Sequence, residues 1–431
     1  MRTVEQEKEI FGNLPHIDDW SSLRQKATVG IRTISNRVAY QAMEGCDGTP
    51  DGKPDTLTKR RYGRFAAGGP GIIWIEATAV MKEGRANPRQ LYLDENNLDD
   101  FAALCEHIKS ICMKENGFEP FVAVQLTHSG RYSKPNGTPA PLIAVHNAVF
   151  EEKNPLSESC IVSDDYLDKL CEKLVNAAVL AERAGFDAAD IKCCHRYLLS
   201  ELCSAYERPG KYGGSFENRT RLLREAVAGA RSACGSDFVI ASRLNIYDGF
   251  AYPCGFGTKE NGGIAPDYSE ACRLAQILEE EGIGLLNLTM GNPYFNPHVN
   301  RPYKRGGYIP DEKPIEGVER MLTGIRTVAA SLPGHTPVIC SGLSYLGADS
   351  PDAAAACIAD GWFDFAGFGR MAFANPQLAN DICVAGSVDP KKSCMACSMC
   401  TELMRAGSVT GCIVRDSEIY RPLYQQYVMK K

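Results

Sequence analysis

Ser163-Asp-Asp-Tyr-Leu-Asp-Lys-Leu-Cys-Glu-Lys-Leu-Val-Asn-Ala-Ala-Val-Leu-Ala-Glu-Arg-Ala-Gly-Phe-Asp-Ala-Ala-Asp-Ile191 contains one complete helix–strand unit. Leu167, Leu170, Cys171, Leu174 and Ala178 recur at the three- and four-residue spacing that lines one face of a helix. Ser163 stands where an N-cap oxygen is wanted, and Gly185 where a helix end calls for left-handed backbone. Asp187–Ile191 then reads as a short strand. Phe216–Ala233, following Ser215, repeats the helical half of the pattern. Reading outward in both directions, the candidate strands are Arg37–Gln41, Gly71–Ala77, Pro120–Leu126, Asp187–Ile191, Phe238–Leu244, Leu285–Thr289, Pro337–Ser341 and Phe363–Phe368. Eight strands separated by helical segments predict an α/β fold, a closed parallel (β/α)8 TIM barrel. A doubly wound open sheet is the competitor, but its G-x-G-x-x-G turn after the first strand is missing.

Two excursions interrupt the rhythm: residues 127–163 after the third strand and 291–315 after the sixth. Both are rich in Pro, Gly and Asn. Loops leaving the C-terminal ends of barrel strands build the active-site face, so long ones there read as lids. Residues 1–385 are expected to form the barrel and residues 386–431 an appended segment, with the break at Gly386, Asp389 and Pro390.

Composition narrows the classes. Of the 431 residues, 44% are hydrophobic and 23% charged, which is ordinary for a globular core. The formal net charge of −6 and the lack of any basic run argue against nucleic-acid binding. No stretch of about eighteen apolar residues predicts a membrane span. Eighteen cysteines behind a charged, unsignal-like start point to a reducing cytoplasm.

Four of those cysteines form a pattern. Cys394, Cys397 and Cys400 are spaced C-x2-C-x2-C, and Cys412 follows after eleven residues. That spacing suits the four thiolates of a 4Fe–4S cluster. The alternatives are a zinc site, which more often uses two separate Cys pairs, or unliganded thiols. A second pattern lies on the last two barrel strands. Ser341-Gly342 and Gly369-Arg370 are Gly-containing turns on consecutive late strands, one ending in Arg, and together they suit a phosphate group.

The segment Ala184-Gly-Phe-Asp-Ala-Ala-Asp-Ile-Lys192-Cys-Cys-His195-Arg-Tyr197-Leu-Leu, followed by Tyr212-Gly-Gly-Ser-Phe-Glu-Asn-Arg219, resembles the signature of the old yellow enzyme family of flavin-dependent barrel reductases. Gln125-Leu-Thr-His128-Ser-Gly-Arg131-Tyr, Ile75-Glu76-Ala77-Thr-Ala and Gly367-Phe-Gly369-Arg370-Met-Ala-Phe-Ala-Asn375-Pro are similar to the same family's other motifs. The resemblance runs from about Arg37 to Asp416. The Cys-rich segment looks like the branch containing 2,4-dienoyl-CoA reductase and trimethylamine dehydrogenase.

The resemblance implies FMN, held by Ser341, Gly342, Gly369 and Arg370 at its phosphate. Arg243 would face the isoalloxazine, Gln125 its pyrimidine edge, and main chain near Met43 and Ala77 the ring. It implies Tyr197 as proton donor and His195 as a hydrogen-bonding group for a substrate oxygen. Lys192 departs from the family pattern, which has His there; it could polarise a carbonyl, bind a carboxylate, lower the pKa of Tyr197, or merely pair with Asp190. His298 lies in a loop where cluster-bearing relatives carry an active-site His. Cys193 and Cys194 read as packing residues, and Asp47-Gly48 as loop chemistry.

The expected function is an FMN-dependent ene-reductase acting on a C=C bond conjugated to a carbonyl, carboxylate or thioester. Relatives of this branch continue into FAD- and NAD(P)H-binding folds, whereas nineteen residues follow Cys412 here. Electrons are therefore expected from ferredoxin, flavodoxin or a separate reductase subunit, or from NAD(P)H directly. One alternative is an oxidative amine-dehydrogenase-like flavoenzyme with an aromatic cage drawn from Tyr294, Phe295 and Tyr303. The other is a non-catalytic electron-transfer subunit.

Overall fold

A computed structural model describes residues 2–430. Eight parallel strands form its centre: β1 (Val38–Tyr40), β2 (Ile72–Ala79), β3 (Phe121–Thr127), β4 (Ala188–Ile191), β5 (Val239–Asn245), β6 (Leu285–Thr289), β7 (Val338–Ile339) and β8 (Ala366–Phe368). Each pairs with its successor from β1 to β7, and β8 pairs with β1 through Ala366↔Val38. Between β7 and β8 the ring closes by an Ile339↔Phe365 bridge and by Cys340 N–H donating to the Phe365 carbonyl at 3.0 Å. All eight expected strands are therefore present, their ends shifted by at most three residues.

A helix follows every strand: α1 (Thr56–Ala67), α2 (Leu98–Asn116), α3 (Asp164–Arg183), α4 (Phe216–Ala233), α5 (Ser269–Glu280), α6 (Pro314–Ala329), α7 (Ser350–Ala359) and α8 (Arg370–Ala374). Ser163 caps α3 by accepting from the Tyr166 N–H, and Ser215 caps α4 by accepting from the Asn218 N–H. Gly185 follows α3 at φ +82°, where a side chain would strain the backbone. The buried face of α3 carries Leu167, Leu170, Leu174 and Ala178, as the spacing predicts.

Two packed layers result. Between strands and helices lies the large apolar shell. Inside the barrel, at the N-terminal ends of the strands, Ile72, Trp74, Phe121, Ala123, Val239 and Leu285 pack with Val29 and Ile34. The last two come from a hairpin (Ala27–Val29 with Arg32–Ile34) that the sequence reading did not anticipate; it plugs the barrel floor. Toward the C-terminal ends the interior turns polar: Gln41 and Asn287 exchange amide hydrogen bonds of 3.0 and 2.7 Å. A site can form only at that end, because the other is sealed by hydrocarbon.

The C-terminal residues form helices Met399–Arg405 and Ser417–Tyr424 around a small cluster of Leu403, Val409, Ile413, Tyr420 and Tyr424. They dock on the barrel's upper face. Asp416 receives Arg60 and Arg64 of α1, and the Thr410 N–H donates to the Gly45 carbonyl at 2.7 Å. Among the described residues no helix is long and apolar enough to cross a membrane.

Candidate active site

One cleft of about 1050 Å³, counting its open mouth, lies over the C-terminal ends of the strands, and every strand or the loop after it contributes. Met43 and Glu44 follow β1, Ala77 lies in β2, and Gln125 in β3. Lys192, His195 and Tyr197 follow β4, Arg243 lies in β5, and Tyr294 and Arg301 follow β6. Ser341 and Gly342 follow β7, and Gly369 and Arg370 follow β8. Cys400, Thr401, Met404 and Thr410 of the C-terminal segment complete the wall. The structure thus brings together Lys192, His195, Tyr197 and all eight residues expected to hold the cofactor.

His298 is the exception. It stands on the turn Pro297–Asn300, where Nδ1 is hydrogen-bonded to the Tyr308 hydroxyl and Nε2 lies 3.8 Å from Glu312. It is not among the residues lining the cleft. The turn aims Arg301 inward instead. The expected aromatic trio also divides. Tyr294 faces the cleft, whereas Phe295 is half exposed against Phe150 and Phe250, and Tyr303 is buried and donates to the Tyr308 carbonyl.

Asp190 organises the base of the cleft. Its Oδ2 accepts from Gln125 Nε2 at 2.7 Å and from Trp74 Nε1 at 2.8 Å, and its Oδ1 from the Arg243 N–H at 2.6 Å. Three donors make this a well-satisfied buried carboxylate, although burial still lifts its pKa, with Gln125, Arg243 and Trp74 opposing. Gln125 thereby commits one amide N–H, leaving its second N–H and its carbonyl oxygen for a ligand. Asp190 therefore does not need Lys192, and the two form no ion pair.

Lys192 Nζ lies 3.8 Å from the centroid of the Tyr197 ring. An ammonium over a phenol face is a cation–π contact. Burial lowers the lysine's pKa, with Cys194 and Glu44 opposing. The phenol itself is not acidified. Burial, then Glu44 and Tyr294, push Tyr197 well above the usual tyrosine value, so it stays protonated. Its Oη lies 2.8 Å from Tyr294 Oη and 3.4 Å from Glu44 Oε2. Tyr294 is itself stacked on Tyr132 at 4.2 Å between centroids. His195 is neutral, since burial and then Arg243 and Lys192 depress its pKa well below 6.5.

Glu44 and Arg301 escaped the sequence reading. Glu44 Oε1 accepts from Asn87 Nδ2 at 2.8 Å, and burial raises its pKa despite Lys192 nearby. Met43-Glu44 follows a strand end, which was the available signal. Arg301 had no signal beyond its place in a long loop. Asp47, read as loop chemistry, is in fact fully buried and paired with Arg61, which also pairs with Glu76.

The cleft fits FMN. Four buried groups able to donate, on residues that line it, have no partner in the protein: His195 Nε2, Arg243 Nε, Arg370 Nη1 and the Thr410 hydroxyl. Buried donors are almost always satisfied, so these await an acceptor-rich ligand. At the phosphate end, Gly342 takes φ +99°, and a Cβ on Gly369 would lie 2.8 Å from Met43 Sδ. The cysteine motif also converges. Cys394, Cys397, Cys400 and Cys412 line one small cavity together with Arg370 and Arg415. The N–H groups of Ala396 and Arg415 point at the sulfurs of Cys394 and Cys412, each at 3.4 Å. Sulfur donors with N–H···S support are what a 4Fe–4S cluster would require. Among the described residues, no group of His, Cys, Asp and Glu is arranged to hold a single metal ion.

A parallel eight-stranded barrel with a polar cleft at the C-terminal ends of its strands is a setting in which flavin-dependent oxidoreductases work. The comparisons specify the family: residues 23–259 match the NADH:flavin oxidoreductase / NADH oxidase family, and the chain belongs to it as an FMN-dependent oxidoreductase. It is 30% identical to the NADPH dehydrogenase of Geobacillus sp. (strain WCH70), over 60% of this chain and 70% of that one. It is 26% identical to the NADH oxidase of Thermoanaerobacter brockii, over 88% of this chain and 53% of that one. Among solved structures, a 2-naphthoyl-CoA reductase complex superimposes at a TM-score of 0.75 with 20% identity, over 92% of this chain and 57% of that one. Morphinone reductase superimposes at 0.61 with 21% identity, over 85% of this chain and 92% of that one. The chain thus spans little more than half of the NADH oxidase and the 2-naphthoyl-CoA reductase.

Proposed function

We propose that this chain reduces a C=C bond conjugated to a carbonyl, carboxylate or thioester, with Tyr197 as the proton donor. The observation that carries the reading is Tyr197 itself: a protonated phenol in the cleft, with Lys192 over its ring and His195 beside it. Bound in the cleft, FMN would supply the two electrons. Tyr197 Oη would give its proton to the carbon next to the activating group. A neutral acid of high pKa suits a strongly basic, enolate-like carbon. Lys192 Nζ and the unpartnered His195 Nε2 would hold the activating oxygen and stabilise the charge that develops on it. Arg243 would stabilise negative charge on the reduced cofactor's ring.

Residues 1–385 and 386–431 would act as the flavin barrel and a 4Fe–4S segment, respectively. Cys400 lines both the cleft and the cysteine cavity, which supports electron exchange between them. Ferredoxin, flavodoxin or a reductase subunit would then serve as donor. The relatives' names support NADPH or NADH as a direct reductant as well. Eighteen cysteines without a disulfide among the described residues support a cytoplasmic setting.

An oxidative amine-dehydrogenase-like reading has one observation in its favour, the cluster of Tyr132, Tyr197 and Tyr294. Lys192, Arg243, Arg301 and Arg370 in the same cleft would repel a cationic substrate, and we place it second. The test separates the half-reactions. Tyr197→Phe is expected to slow alkene reduction by about a hundredfold or more and to leave flavin reduction unchanged. Parent-like turnover of enones, enoates and enoyl thioesters by the variant would refute the assignment.

A further inference from the structure

Glu44 is the one carboxyl among the described residues that line the cleft, where Lys192, Arg243, Arg301 and Arg370 supply the cations. Among the described residues it forms no ion pair. Its Oε1 accepts from Asn87 Nδ2 at 2.8 Å, and its Oε2 accepts from Tyr197 Oη at 3.4 Å. Tyr197 is 2% exposed, whereas Glu44 keeps part of its surface open to the cleft. The carboxyl therefore stands between water and the phenol. A phenol that gives up its proton in so closed a place needs a carrier to replace it. Tyr294, its other partner at 2.8 Å, is no source, because burial and then Glu44 hold that hydroxyl well above the usual tyrosine pKa. Glu44 itself is raised by burial, against the pull of Lys192, Tyr197 and Asn87. Its remaining titratable neighbours are Cys46 on its own loop and Glu76 of β2.

We propose that Glu44 is a proton relay that acts through Tyr197, returning a proton to the phenol after each turnover. The proposal rests on the ene-reduction reading, in which Tyr197 gives its proton to a substrate carbon and is left as a phenolate. The O–H bond of the Glu44 carboxyl then breaks, a new O–H bond forms on Tyr197 Oη, and Glu44 is left as a carboxylate. Glu44 recovers its proton from hydronium or a buffer acid at the open side of the cleft, and no electrons change hands. The direction follows from electrostatics. Two adjacent groups that repel each other when both are anionic share one proton, and it settles on the more basic phenolate. A separation of 3.4 Å is within the range from which such contacts tighten when a substrate is bound.

The test separates the first turnover from the steady state. Tyr197 starts out protonated, so a pre-reduced holoenzyme needs no relay to convert its first alkene. Cyclohexenone, cinnamate and crotonyl-CoA serve as probes for the three activating groups, with reduced viologen as the electron source. In Glu44→Gln the first turnover is expected to keep close to the parent rate, while kcat falls roughly a hundredfold, the lower end of what proton-transfer groups contribute. Equal losses in both phases would make Glu44 merely structural, and an unchanged kcat would make it dispensable; either overturns the proposal. If the Gln variant does not fold, Glu44→Ala leaves room for a small acid. Formate should then restore its kcat in proportion to concentration, and no rescue would overturn the relay. A readout without turnover is the infrared C=O band of a protonated carboxyl in mildly acidic buffer. Part of that band should vanish in Glu44→Gln; identical spectra would mean that Glu44 holds no proton to give. A parent protein that reduces none of the three probes would instead refute the ene-reduction reading itself.

Discussion

Tyr197 owes its raised pKa first to burial and then to Glu44, which sits 3.4 Å away and which no motif announces. Burial disfavours the phenolate, and a carboxylate next to the phenol adds to the effect. Tyr294, bonded to Tyr197 at 2.8 Å, is pushed up by burial and by the same carboxylate. Glu44→Gln keeps the size and the hydrogen bond from Asn87 possible, and removes the charge. The last phenols to ionise in the tyrosinate titration should therefore do so at lower pH in the variant than in the parent. Superimposable titration curves would mean that Glu44 does not control these phenols. Arg243 and Asp190 teach the same lesson from the other side. An arginine within Val-Ile-Ala-Ser-Arg is legible as an inward-pointing strand residue, but the Asp190 carboxylate that its backbone N–H meets and the Ala42 carbonyl that its guanidinium reaches are not.

At the scale of elements, β2 shows how a strand can serve two environments. Its register against β3 shifts between Ile75 and Ala77. The extra residue of this bulge is Glu76, which reaches Arg61 on α1, while Ala77 faces the cleft. Arg61 also holds Asp47, so one guanidinium serves two carboxylates in a fully buried triad. The Glu76 Oε2 in turn accepts the Gly45 N–H at 2.5 Å, fixing the loop that carries Glu44. Burial outweighs Arg61, with Asp47 acting in the same direction as burial, and the Glu76 pKa rises from 4.5 to about 7. A carboxyl raised on folding stabilises the fold fully below its unfolded value, near 4.5, and that contribution is lost as pH climbs through about 7. Melting temperature should accordingly fall between pH 5 and pH 8, and Glu76→Gln should flatten this slope. An unaltered slope in the variant would exclude Glu76 as its source. Arg61→Ala leaves two buried carboxylates uncompensated and should cost about 3–5 kcal/mol by denaturant unfolding.

For the whole molecule, the C-terminal segment is a wall of the cleft as well as an appendage. Asp416 anchors it to α1, Thr410 to Gly45, and Ser398 to Arg301. Cys400→Ser is expected to lose iron from anaerobically prepared protein while most FMN stays bound, because the thiol and the phosphate turns belong to different elements. Stoichiometric zinc without iron in the parent would refute the cluster. A one-electron donor such as reduced viologen should bleach the flavin rapidly in the parent and slowly in Cys400→Ser. Rapid bleaching by NAD(P)H that survives the substitution would show, in anaerobic stopped-flow traces, that electrons do not need the cysteine segment.

The amino-acid sequence by itself determined the barrel. Periodicity, caps and strand lengths are local properties, and Leu167, Leu170, Leu174, Ser163 and Gly185 state them without reference to anything distant. The Gly-containing turns after the last two strands and the spacing of the four cysteines could be read for the same reason: each is a short stretch of chain, and the walls of the cleft and of the cysteine cavity then receive them in space. Tertiary structure decided what depends on closing the ring. Glu44 and Tyr197 are 153 residues apart, and Arg301 and Ser398 are 97 apart; their encounters follow from strand order and loop path, which no window of sequence contains. His298 is the converse. Its loop was correctly expected at the active-site face, but a four-residue turn determines which side chain points in, and the turn Pro297–Asn300 directs His298 to Tyr308 and leaves the cleft to Arg301. Side-chain direction in an irregular loop is set by the packing around it, and that packing exists only once the chain has folded.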